Sequence, residues 1–145
     1  RVFPTVMQLV KDDGDIRYVF KEYPILTPQS VVAARAALAA WKTDQGAYVS
    51  FHSALMSARG ELTEEKIFRF ASESGFDVET LRRRMADNDI EDALVGNFKL
   101  AKELGIEGTP AFVIGRNLVS GAADAETLRQ LVLATRKECQ KLGTC

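Results

Sequence analysis

Apolar residues in the first stretch of the chain recur at helical spacing. Val2, Val6, Leu9 and Val10 fall on one side of a helix over Arg1 to Asp12. The Asp13-Gly14-Asp15 step then predicts its end, because glycine and aspartate favour turns. The pattern therefore predicts an amphipathic helix that packs one face on a core.

Three short segments are instead rich in β-branched and aromatic residues. Ile16 to Tyr23 reads as a strand that Pro24 stops, and Ala111 to Ile114 and Leu118 to Ser120 read as a hairpin around a Gly115-Arg116-Asn117 turn. Strands in two separate places, with helices before, between and after them, predict an α/β fold.

A helical block separates the first strand from the hairpin. Capping residues and helix breakers divide it into five helices, and a sixth follows the hairpin. The first helix starts at Thr27-Pro28 and covers Ser30 to Asp44, and after an interruption at Gly46 the second covers Ala47 to Ala58. The third is capped by Thr63 and ends near Gly75, the fourth is capped by Asp77, and the fifth is capped by Asp89 and stops at Gly105. The final helix is capped by Asp124 and runs to about Lys141.

Composition restricts the class of protein without naming it. The chain has 145 residues, 46% of them hydrophobic and 27% charged, which is typical of a single soluble globular domain. With 19 basic against 20 acidic residues, it offers no electrostatic basis for binding nucleic acid or an anionic membrane. No apolar run is long enough for a transmembrane helix, and Arg1-Val2-Phe3-Pro4 does not resemble a signal peptide.

The two cysteines, Cys139 and Cys145, lie at the C-terminal end with five residues between them. Together with the sole histidine, His52, they are too few to form a zinc site, so no metal is expected. Cys139 lies near the end of a predicted helix, where the dipole favours a protonated thiol. The pair is expected to form a small structural disulfide, the alternative being two free thiols.

The candidate binding motif is Gly108-Thr109-Pro110, which leads directly into the apolar strand Ala111 to Ile114. Proline is tolerated at the first residue of a strand, and X-Pro is the one common place for a cis peptide bond. This step resembles the cis-proline loop of thioredoxin-fold oxidoreductases, where exposed backbone pairs with an extended substrate. The alternative is an ordinary loop proline that precedes a strand.

Several longer segments resemble the DsbA-like thioredoxin-fold thiol:disulfide oxidoreductase family, in particular its Com1-like periplasmic branch. They are 20–26, similar to the strand after the redox helix; 30–40 and 51–56, similar to the inserted helices; and 101–113, similar to the approach to the cis-proline. The resemblance implies one thioredoxin-like domain over 1–145, of the DsbA type, with a helical insertion at about 28–104 and the first strand absent.

The functional residues of this family carry over only in part. Its Cys-x-x-Cys motif is not present in this chain; the resemblance places that motif directly ahead of Arg1, and Pro4 fits the proline common in the redox helix. Pro4 also fits an ordinary first-turn proline. Thr109 and Pro110 remain as substrate-binding residues, and Glu22, at the end of a strand, is a possible proton acceptor, the alternative being a solvated carboxylate.

The remaining singular residues are interpreted as structural. His52 is expected to be a packing or surface residue rather than a catalytic base, and the run Arg82-Arg83-Arg84 a solvated helix face. Core or helix-packing roles are expected for the aromatic residues Trp41, Phe51, Phe68, Phe70 and Phe98.

The resemblance implies a thiol:disulfide oxidoreductase that forms or isomerises disulfides in exported proteins of the bacterial periplasm or cell envelope. Its partners would be extended segments of cysteine-containing substrate proteins, with a membrane redox partner as a further candidate and no cofactor required. Two alternatives stay open: a redox-inactive peptide-binding protein of the same fold, and a glutathione-dependent transferase or isomerase of related fold.

Overall fold

The computed structural model describes residues 2–143 of the chain. Within them the chain forms seven helices and a two-stranded sheet. The elements are α1 (Val2–Asp13), α2 (Pro28–Thr43), α3 (Gln45–Ser57), α4 (Glu64–Glu73), α5 (Val78–Arg84), α6 (Asn88–Glu103), β1 (Ala111–Ile114), β2 (Asn117–Ser120) and α7 (Ala125–Leu142).

These elements belong to two compact units. The first comprises the chain up to Val19 and from Lys102 onward, and the second runs from Phe20 to Ala101. The predicted helical insertion at about 28–104 overlaps the second unit, while its exact bounds, and the description of 1–145 as one domain, stay predictions.

The second unit is built around the alanine-rich helix α2. Six of its alanines are buried, namely Ala33, Ala34, Ala36, Ala37, Ala39 and Ala40. Because alanine side chains are small, α3, α4 and α5 can all pack directly against this helix. The larger side chains of the core come from those partners, and Phe51, Ile67 and Leu81 are almost completely buried there.

Most predicted helix starts of the second unit are found at the expected residues. The side chains of Thr27, Thr63 and Asp77 each accept a hydrogen bond from a first-turn backbone N–H, as caps do. Two predicted boundaries are wrong. Gly46 does not interrupt the helices but lies inside α3, because Asp44 caps that helix by accepting from Gly46 N at 2.8 Å. Asp89 is likewise not a cap, since α6 begins at Asn88 and the Asp89 carboxylate pairs with Lys42.

In the first unit, α1 and α7 cover one face of the hairpin. Val6 and Leu9 of α1 and Leu128 of α7 form a buried cluster, against which Phe112 and Ile114 of β1 pack. The strands are antiparallel with Phe112 opposite Val119, so alternate residues of β1 point into this cluster. Helix α7 follows its cap, Asp124, and runs to Leu142, close to the predicted end near Lys141; Gly143, with a left-handed backbone (φ 64°), supplies the stop.

The predicted strand over Ile16 to Tyr23 is wrong as a sheet element. Among residues 2–143 the only ladder joins β1 to β2, and no strand is formed between α1 and α2. The period of two is nevertheless present in burial, because Ile16, Tyr18 and Phe20 are half-buried while Arg17 and Val19 are exposed. Alternation in sequence reflects which side chains are covered, whereas a ladder also requires an adjacent strand.

Candidate functional site

The loop before β1 presents the Gly-Thr-Pro step at the surface. Thr109 and Pro110 are both exposed, and the peptide bond between them is cis, as the sequence predicted. The Pro110 carbonyl accepts a hydrogen bond from Gly121 N at 2.8 Å, which fixes the loop to the residue that directly follows the second strand of the hairpin. Within residues 2–143 the Thr109 backbone makes no hydrogen bond, so its N–H and C=O are available to a ligand.

The loop is supported by the core of the first unit. Phe112 follows it by two residues and is anchored between α1 and α7, while its neighbour Val113 is 54% exposed. Val113 lies opposite Leu118, which is 40% exposed, so the outer face of the hairpin carries an apolar pair. An extended peptide laid along this edge would therefore meet free backbone groups and an apolar surface.

An ion pair joins the two helices of this unit. Both guanidinium ends of Arg136 on α7 bind the Asp13 carboxylate at the end of α1, one at 2.8 Å. The arginine holds the pKa of Asp13 below its ordinary value of 3.8, and the same bond raises the pKa of Arg136.

In the second unit, Glu22 is held among polar side chains rather than in solvent. Its side chain is 15% exposed, and its Oε1 atom lies 3.4 Å from His52 Nδ1 and 3.5 Å from the Tyr48 hydroxyl. Tyr48 and His52 are themselves 3.1 Å apart, and both are buried on α3. The Glu22 carboxylate therefore has the Tyr48 hydroxyl, and His52 Nδ1 when that nitrogen is protonated, as hydrogen-bond donors.

The Glu22 backbone is fixed as well. Asn97 of α6 is 8% exposed and donates from Nδ2 to the Glu22 carbonyl at 2.9 Å. Glu22 is thus held through its side chain by α3 and through its backbone by α6.

Sequence reasoning missed Tyr48 and Asn97 and described His52 too loosely. His52, expected to be a packing or surface residue, is a buried packing residue. It also contacts Glu22 and Tyr48. A signal was available, because Tyr48 and His52 are four residues apart and so lie on one face of a helix. Of the aromatic residues expected in core or helix-packing roles, Phe51 and Phe68 are buried in the core, and Phe70 packs against it while partly buried. Trp41 and Phe98 are 42% and 41% exposed and meet the rings of Tyr48 and Tyr23 edge-on.

At the C-terminal end, Cys139 is disulfide-bonded. Cys145, its predicted partner, lies outside the described residues, so the pairing stays a prediction. Within residues 2–143 no cluster of three or more histidine, cysteine or carboxylate side chains could hold a metal ion.

The family profile described as "DSBA-like thioredoxin domain" matches residues 2–133. The chain belongs to this family. Its fold is accordingly thioredoxin-like, of the DsbA type, as the sequence resemblance predicted. Members of the DsbA-like family are thiol:disulfide oxidoreductases.

Two solved structures of bacterial oxidoreductases are similar to this chain. A thioredoxin-like oxidoreductase from Silicibacter pomeroyi is 40% identical with a TM-score of 0.89, covering 94% of this chain and 78% of that one. The thiol-disulfide exchange protein alpha-DsbA2 from Wolbachia pipientis is 35% identical with a TM-score of 0.86, covering 92% of this chain and 72% of that one.

A relative of a different kind is a Na(+)/H(+) antiporter NhaA 1 from Salinispora arenicola, 30% identical over 131 residues. The match covers 89% of this chain but only 20% of the antiporter, so this chain spans about a fifth of that protein's length. No helix among residues 2–143 combines the length and apolar character needed to cross a bilayer.

Proposed function

We propose that this chain is the substrate-binding part of a thiol:disulfide oxidoreductase that forms or isomerises disulfides in exported proteins. Family membership supports the reaction class. The observation that carries the proposal to this chain is the exposed Thr109 backbone beside the anchored strand β1, with no hydrogen bond to another residue of 2–143.

Substrate binding follows from that backbone. An extended segment of a cysteine-containing protein donates to and accepts from Thr109, as in strand addition, and packs on Pro110 and the apolar edge of the hairpin. Main-chain hydrogen bonds do not depend on the side chains of the substrate. The site therefore suits many different unfolded segments rather than one sequence.

The thiol chemistry requires a redox pair that this chain does not contain, because Cys139 and Cys145 are not in a Cys-x-x-Cys motif. We place that pair directly ahead of Arg1, at the start of α1, where a helix N-terminus favours a thiolate. The thiolate attacks one sulfur of a substrate disulfide and forms a mixed disulfide, and the other sulfur leaves as a thiolate. Disulfide formation is the reverse sequence, and neither direction requires a cofactor.

Glu22 is the proposed proton acceptor for the thiol that must ionise. Its burial and its contacts with Tyr48 and His52 support this role, since a solvated carboxylate would be exposed.

The bacterial periplasm or cell envelope is the proposed location. The disulfide at Cys139 supports it, because structural disulfides persist in oxidising compartments and are rare in the cytosol. A membrane redox partner would restore the oxidised state after each turnover.

The sequence upstream of Arg1 tests the reaction class directly. A Cys-x-x-Cys within a few residues of Arg1 is the expected result. Its absence would instead favour a redox-inactive, peptide-binding protein. The chain that starts at Arg1 is expected to reduce insulin no faster than a small-thiol control. Faster reduction would contradict the proposed site of the redox pair.

Peptide titration of the ¹⁵N-labelled chain tests the binding site. An extended peptide with its single cysteine blocked should shift the amide signals of 107–109, of 111–112 and of Gly121. The same peptide with alternate backbone nitrogens methylated should not bind, because it has lost the donors that strand addition needs. Equal binding of both peptides would refute the backbone mode. Thermal stabilisation by glutathione, without an effect of peptides, would favour the transferase or isomerase alternative.

A further inference from the structure

Three titratable side chains in the second unit touch one another in a largely buried environment. The Tyr48 hydroxyl is 3.1 Å from His52 Nδ1 and 3.5 Å from Glu22 Oε1, and His52 Nδ1 is 3.4 Å from the same carboxylate oxygen. Phe20 packs on the His52 ring with 4.6 Å between ring centroids, and Trp41 meets Tyr48 edge-on. Glu22 is the most exposed member, at 15% of its side chain against 8% for His52.

The Tyr48 hydroxyl has one proton to donate, and both His52 Nδ1 and Glu22 Oε1 lie within reach of it. If His52 Nδ1 carries no proton, Tyr48 donates to it, and the Glu22 carboxylate receives nothing from the hydroxyl. If Nδ1 carries a proton, it donates to the Tyr48 oxygen, and the hydroxyl is free to donate to Glu22. The two arrangements exclude each other, and moving from one to the other requires only that protons shift along existing contacts.

We propose that Glu22, Tyr48 and His52 form a proton relay that connects the protein surface to a buried proton store on His52. A proton arriving at the Glu22 carboxylate passes to the Tyr48 oxygen, while the phenolic proton of Tyr48 passes to His52 Nδ1. The products are the Glu22 carboxylate, a neutral Tyr48 and an imidazolium, so one proton has moved and none has been gained or lost.

Histidine suits the storage end of this relay, because a ring nitrogen can accept a proton or donate one. Glu22, from the extended segment, and Tyr48, from its own helix, both lie against its ring, and the Asn97 amide on the Glu22 backbone is neutral. The purpose of the relay, to clear the proton that Glu22 accepts, rests on the proposed function. Its existence rests only on the geometry of the three side chains.

Proton exchange at the sole histidine tests the relay. The chain labelled with ¹⁵N-histidine, without substrate, is held near the acidic end of the histidine titration range, and the exchange rate of the Nδ1 proton with water is measured by NMR. Tyr48→Phe keeps the aromatic ring and removes the hydroxyl, and is expected to slow this exchange about tenfold or more. Tyr23→Phe, the same change next to Glu22 on a ring that packs on Phe98, is the matched control and should leave the rate unchanged.

The direction of the change separates a relay from a structural role. A variant that merely loosens the core admits water and speeds exchange, whereas loss of a relay slows it. Glu22→Gln changes the other end of the relay and should also slow proton exchange at His52. It tests the relay independently if Tyr48→Phe fails to fold. Unchanged or faster exchange in a folded variant would overturn the relay. That result would leave peptide binding at Thr109 untouched, so the two proposals can fail separately.

Discussion

Replacing Gly115 with alanine should destabilise the hairpin of the first unit by two separate effects. Gly115 has a left-handed backbone, with φ at +60°, which costs an L-residue about 1–2 kcal/mol. A Cβ placed there would also lie 2.6 Å from Thr135 Cγ2 and 2.7 Å from its Oγ1 on α7. Both Thr135 atoms are on a β-branched side chain with little freedom to move, so an overpacking cost of about 1–3 kcal/mol is added.

Gly121→Ala is the matched control, because Gly121 has a similar backbone, with φ at +82°, and nothing within 4 Å of an added Cβ. It should therefore cost only the conformational part, about 1–2 kcal/mol. The reduced flexibility of the unfolded chain offsets both variants equally, by about 0.4–1 kcal/mol. The difference between the two variants isolates the contact with Thr135.

Urea denaturation followed by circular dichroism, together with hydrogen exchange of the Phe112 and Val119 amides, measures both variants. Adding Thr135→Ala to Gly115→Ala should recover about 1–2 kcal/mol, because the two closest atoms are removed. Equal destabilisation by Gly115→Ala and Gly121→Ala, or no recovery in the double variant, would refute the close approach of the turn to α7.

Two further predictions concern polar contacts. Arg136→Gln should make thermal stability less sensitive to acid. The pKa of Asp13 is lowered in the folded protein, so the ion pair stabilises the fold at a pH above the ordinary carboxyl pKa. This stabilisation is lost as the pH falls through the lowered pKa of Asp13. Melting temperatures measured from neutral pH down to about pH 2 check this prediction. Arg69→Gln is the control, because its partner Glu73 is exposed. Parallel melting-temperature profiles of the wild type and Arg136→Gln would contradict the prediction. Asn97→Ala should cost about 1 kcal/mol, because it removes the donor from the part-buried Glu22 carbonyl, whereas Asn117→Ala removes an exposed bond and should cost about 0.5 kcal/mol or less. Equal unfolding free energies of these two variants would show that the Asn97 bond does not hold the segment.

The helices were predictable because their signals are local. A cap such as Asp124 and a stop such as Gly143 act on backbone groups within one turn, so the sequence around them is sufficient to place them. The family resemblance added the thioredoxin-like fold and the Thr109-Pro110 step, neither of which follows from periodicity alone. Asp89 shows where local reasoning ends, since its carboxylate pairs with Lys42 of a distant helix rather than with its own backbone.

The contacts around Glu22 depended on tertiary structure. Sequence could mark Glu22 as a carboxylate at the end of an apolar segment, but the residues that surround it, Tyr48, His52 and Asn97, come from helices 26 to 75 positions away along the chain. The segment over Ile16 to Tyr23 is the opposite case, because its alternation specified which side chains are covered but not whether a neighbouring strand would pair with it. Local sequence fixes backbone geometry over a few residues, whereas burial, pairing and proton exchange are set by groups that only folding brings within hydrogen-bonding distance.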